Sequence, residues 1–152
     1  MAENIYEITS LVEEALGKLY DAQDLNSLDQ IWKKYNSELV MANDHIGREL
    51  IGLAYQNMRA CFLISHISIN PEFQTTPFIC EAIAAIQLAV SYTDMLRYDS
   101  YPLPEHEVLS LVSLTKRLRN ILNTFLASQE SADQGLMALP SVLDGILDKL
   151  EA

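Results

Sequence analysis

The chain has 152 residues, 49% hydrophobic and 20% charged, and 21 acidic against 10 basic residues give it a formal net charge of −11. That length suits one domain with a sizeable core that needs no disulfide or metal, and the apolar content excludes general disorder. Five Gly and five Pro are too few for an all-β protein of many tight turns, and the negative field disfavours direct binding of nucleic acid or an anionic membrane while favouring a partner with a basic surface.

Helical periodicity runs through nearly the whole chain. The N-terminus, Met1 to Glu7, has neither the basic start nor the apolar run of a secretory leader, so a cytoplasmic protein is expected. In the first block Ile5, Ile8, Val12, Ala15, Leu16 and Leu19 share one stripe, with Glu3, Glu7, Glu14 and Lys18 opposite. A short Asp-Ala-Gln turn leads to Asp24, an N-cap candidate. A second stripe then carries Leu25, Leu28, Ile31, Trp32, Tyr35 and Leu39. The two blocks predict an antiparallel hairpin, and it is acidic: residues 1–44 hold nine acids and three bases.

The third block, Asn43 to Ser68, is apolar on one face and partly round the side, so it is expected to be mostly buried. Cys61 lies in it, and like Cys80 it reads as a buried reduced thiol. His45 stands near its start. His45-Ile-Gly-Arg-Glu-Leu-Ile-Gly52 resembles the motif of histidine phosphotransfer domains, which are acidic helical bundles. The resemblance makes His45 the phosphoryl acceptor and Arg48 the basic residue beside it. Gly47 comes earlier than that motif places its glycine. His66 falls in an apolar setting and reads as a core or boundary residue.

Asn70 to Thr76 breaks the pattern, and Thr76-Pro77 is a good helix start. The stretch from Phe78 to Leu96 carries only Glu81 and Asp94 as charges and is apolar all round. A helix of that kind calls for cover on every side, which places it, at about residues 77–97, in the centre of the bundle. Read residue by residue, no segment reaches the roughly 20 apolar residues needed to span a bilayer. Glu81 is expected in the helix's first turn, stabilised by its N-terminus.

Tyr98, Tyr101, Pro102 and Pro104 form a second break, a rigid loop suited to docking a partner because Tyr brings apolar area with a polar tip. A long helix follows, with Val108, Leu111, Val112, Thr115, Leu118, Leu122 and Phe125 inward and Lys116, Arg117 and Arg119 on its polar side. His106 lies between Glu105 and Glu107, which do not share its face. The tail after Ser131 reads as a short and a final helix joined at Pro140, or as one kinked helix.

The fold expected is therefore an all-α single-domain bundle, over residues 1–152, of five or six helices around a central apolar helix. There is no Gly-x-Ser-x-Gly elbow, no phosphate-binding glycine loop, and no Cys or His spacing for zinc, so no enzyme, cofactor or metal site is expected. The leading reading is a small acidic protein-binding module, an adaptor, chaperone-like or inhibitor protein. Its contact residues would be Tyr98, Tyr101, Pro102, Pro104, Trp32, Tyr35, Glu13 and Glu14. Phosphotransfer through His45 is one alternative, and a polar-lined internal ligand pocket near Glu81, Cys80 or His66 is another. A homodimer would give the apolar helices further cover.

Overall fold

The structure, a computed structural model, describes residues 8–69, 76–98, 103–128 and 134–151, with the side chains of Thr76 and Tyr98 left outside that description. It contains α1 (Ser10–Asp21), α2 (Leu25–Met41), α3 (His45–Ile69), α4 (Thr76–Tyr98), α5 (Glu105–Ala127), α6 (Gln134–Met137) and α7 (Leu139–Glu151). The all-α bundle is as expected: six long helices pack together, α6 is a single turn, and no strand occurs among the described residues.

Local chemistry sets the helix ends. Thr9 Oγ1 accepts from the Val12 N–H at 3.2 Å and starts α1, three residues before its first buried side chain. Asp24 caps α2 as expected, accepting from the Ser27 N–H at 2.7 Å. The other end of α2 closes on Asn43, whose φ of 57° lies in the left-handed region that Asn tolerates. Two amides then return to the helix, Asn43 to the Val40 carbonyl and Asp44 to that of Leu39. Asp44 in turn caps α3, accepting from the Gly47 N–H at 2.8 Å. One Asn-Asp pair thus ends one helix and begins the next. In the tail, Leu139 and Pro140 start α7, where a missing amide hydrogen costs nothing.

The centre of the bundle is α3. It touches α1, α2, α4 and α5, and its buried positions run on all sides, from Ile46 through Leu50, Ile51, Leu53, Ala54, Tyr55, Met58 and Cys61 to Ile67. This corrects the expectation that residues 77–97 are the central pillar. The mean hydropathy of α4 is high, but its inward face is narrow: Ala82, Ala85, Ile86, Ala89, Thr93 and Leu96 are buried against α3 and α7, and the opposite face is open. The alanines let α4 lie close on α3, and Gly52 is where it lies closest, against the ring of Tyr92.

The core is one continuous cluster contributed by every helix. Its fully buried side chains include Leu16, Leu19, Leu28, Leu39, Leu50, Leu53, Ile64, Ile86, Leu111 and Leu118, each contributing about 1.5–3 kcal/mol by leaving water. The buried hydroxyls of Thr93 and Thr115 donate back to the Ala89 and Leu111 carbonyls at 2.8 and 2.7 Å, so neither is stranded.

Candidate functional site

Within residues 1–44, four of the nine carboxylates serve the fold. Glu14 Oε2 accepts from the Tyr35 hydroxyl at 2.8 Å and Asp29 Oδ1 from the Tyr55 hydroxyl at 2.5 Å, tying α1 to α2 and α2 to α3. Asp24 and Asp44 are helix caps. Tyr35 is 1% exposed, so its expected place on a contact surface is corrected: it is a core side chain with its hydroxyl at the edge. Burial, with Glu14 beside the hydroxyl, pushes its pKa up to about 12. Trp32 is half-buried and stacks on Tyr55, with ring centroids 4.8 Å apart and planes 13° from parallel. Glu13 remains exposed.

Of the expected docking loop, Tyr101 and Pro102 and the side chain of Tyr98 lie outside the described residues. Pro104 is half-buried at the start of α5, where it offers no side-chain cap, and Leu103 before it packs on the core.

The histidines do not converge. His45 is exposed in the first turn of α3, and Arg48 donates from Nε to Asn36 Oδ1 at 3.3 Å. His66 is exposed rather than at the core edge, while Ile64 and Ile67 beside it in the sequence are buried. His106 Nε2 lies 3.2 Å from Glu107 Oε1. No group of three metal-ligating side chains occurs among the described residues. Cys61 is buried, and that burial pushes its thiol up to about 11 against an opposing pull from Arg117. Cys80 is exposed on α4, against expectation. Glu81 is also exposed, one turn further into α4 than the expected first turn, since the helix begins at Thr76. With Glu81, Cys80 and His66 all facing outward, none of them lines an internal pocket.

What the structure does bring together is the outer face of α4. Pro77, Cys80, Ala84, Leu88, Ser91 and Met95 recur at three-and-four spacing along it, all exposed, with Leu88 at 42% and Met95 at 46%. Glu81 lies on one edge of this stripe with no ion pair to a described residue. At the far end Asp94 pairs with Lys149 Nζ, and Arg97 donates to the Lys149 carbonyl at 2.9 Å, fastening α4 to α7. The face is a smooth, nearly uncharged ridge on a strongly acidic protein.

Sequence reasoning missed this face because it averaged hydropathy round the helix. The signal was present in Glu81, Gln87, Ser91 and Asp94, whose polar side chains fall on one side. Hydropathy also corrects the membrane expectation. Pro77–Arg97 is long and apolar enough, by length and composition, to cross a membrane, and 33% of its most apolar window is buried. The buried third is the alanine-lined side that packs on α3.

No protein-family model, curated protein or solved structure matches the chain.

Proposed function

We propose that this chain is a small non-catalytic binding module, and that the outer face of α4 docks a protein partner presenting an apolar patch rimmed by basic residues. The observation that carries this reading is the open face itself. A largely apolar helix of 23 residues has its inner side packed and Leu88 and Met95 left in water. Exposed apolar stretches with a polar rim are a recurring mark of interaction surfaces. The charge of the partner follows from the net charge of −11 and from exposed Glu81 at the edge of the face, which has no ion pair among the described residues. A basic rim is steered toward such a surface, whereas a second copy brings another −11 against it.

In this reading the acidic hairpin contributes long-range attraction, and the contact energy comes from α4. The test is affinity capture from the native source with the wild-type chain, Leu88→Glu and Met95→Glu. The expected result is one partner recovered in stoichiometric amount by the wild type, released more readily as salt is raised, and lost with both variants. A partner that both variants retain, or self-association of the wild type by sedimentation at native concentration, contradicts the reading.

A further inference from the structure

A second surface lies on α5, and its rim is cationic. Tyr20 in the last turn of α1, Met58 of α3, and Leu109, Ser110, Ser113, Leu114 and Arg117 of α5 line an open concavity of about 420 Å³. A neighbouring one of about 610 Å³ continues along α5 past Lys116 and Asn120 to Ile121, sharing Leu109, Ser113 and Arg117 with the first. Together they make a groove. Its near end is closed by Tyr20 from the last turn of α1, and its length follows α5, whose 23 residues make about 35 Å of helix.

The floor is apolar: Met58 and Leu114 are buried, Ile121 is half-buried, and Leu109 is 60% exposed at the near end. The rim is cationic. Lys116 and Arg117 are exposed and make no ion pair among the described residues, whereas Arg119 is turned away and held by Asp144 Oδ1 at 2.7 Å. Lys116 and Arg117 thus put two positive charges beside an apolar floor on a chain of net charge −11. The Tyr20 hydroxyl, shielded at the end of the groove, has no hydrogen-bond partner among the described residues.

We infer that this groove receives an acidic amphipathic helix of a partner protein. Its apolar stripe would lie over Met58, Leu114 and Leu109, and its Glu or Asp residues would face Lys116 and Arg117. Helix-in-groove recognition uses this combination of an apolar floor and flanking charge. Arg117 adds directional bonding, since a guanidinium grips a carboxylate in a bidentate fashion. The inference does not depend on the α4 face: it concerns another helix, and the chemistry of its partner is the reverse. Both surfaces on one small bundle would make the chain an adaptor.

The experiment uses a fluorescein-labelled helical peptide of about 15 residues with Leu at three-and-four spacing and Glu on both flanks, and a counterpart with Lys in place of Glu. Fluorescence anisotropy against the full chain is expected to show saturable binding of the Glu peptide only. Binding should weaken about tenfold in Lys116→Glu/Arg117→Glu, weaken measurably in Leu109→Ser, and stay unchanged in Leu88→Glu. All these positions are exposed, and unfolding curves matching the wild type establish that the variants fold. Equal or tighter binding of the Lys peptide, or charge reversal without effect, overturns the inference. So does binding lost in Leu88→Glu, which would place the peptide on α4.

Discussion

Tyr92 of α4 lies so close to Gly52 of α3 that a Cβ on Gly52 would stand 2.5 Å from Cζ of the ring. Cε1 and Cε2 of the same ring would stand at 2.6 and 2.9 Å, so the half-buried ring would have to shift as a unit. Gly52→Ala is therefore expected to lower stability by about 1–3 kcal/mol in urea unfolding. Gly145 is the control. A Cβ there meets nothing within 4 Å, and α7 continues through it, so Gly145→Ala should raise stability by about 0.5–1 kcal/mol. Equal effects at the two sites would contradict the close α3–α4 packing.

The Tyr35–Glu14 bond gives the hairpin an alkaline limit. The folded-state pKa of Tyr35 is raised from its ordinary value of 10.0 to about 12, so the folded protein holds the phenolic proton more tightly than the unfolded chain. The stability this supplies is complete below pH 10 and is lost as pH rises towards about 12. Urea midpoints measured across that window should fall for the wild type, with a smaller fall for Tyr35→Phe. At neutral pH, Tyr35→Phe should cost about 1 kcal/mol, because water can replace the hydroxyl at exposed Glu14.

Glu107 acts in the same sense at lower pH. It is 8% exposed, with Oε2 unpartnered among the described groups. Burial raises its pKa from the ordinary 4.5, Glu13 adds to the rise, and His106 opposes it. Its contribution to stability is thus present below about pH 4.5 and lost as pH rises through the folded-state value. Glu107→Gln should accordingly be more stable than the wild type at pH 7, the two converging in acid. A variant less stable at pH 7 would show that the buried carboxylate is well paired.

The composition of α4 predicts one outcome against a lipid surface. Its inner side is held by α3 and α7, leaving a single stripe for contact. In flotation assays the chain should stay with the aqueous fraction in the presence of anionic vesicles, which its charge of −11 also repels. Co-flotation abolished by Leu88→Glu would assign the face to a bilayer instead of a protein.

Much of the fold was legible because it rests on local rules. The Asp24 cap, the Thr76-Pro77 start, the breaks near residues 70 and 100 and the inward stripe from Leu111 to Phe125 all follow from periodicity and capping. Which helix occupies the centre did not follow. α3 and α4 both read as apolar, and the choice depends on how many neighbours each meets, a property of the tertiary arrangement. The same limit applied to Tyr35 and Cys80. Both sit in apolar helical patterns, yet one is core and the other faces water, and a rotation of a helix by part of a turn decides between them. The groove on α5 was half legible: Lys116 and Arg117 stood out as charge, but Tyr20 and Met58, which complete its lining, come from two other helices.

The measurement that bears most directly on the binding-module account is site-specific photocrosslinking in the native source. A benzophenone side chain is placed at position 88 in the open face of α4 and, as control, at position 41, where Met41 is equally apolar and more exposed at the end of α2. The account predicts one discrete adduct from position 88, containing a protein of basic surface, and none of that mass from position 41. Adducts of the same pattern from both positions, or only the chain linked to itself, would contradict it.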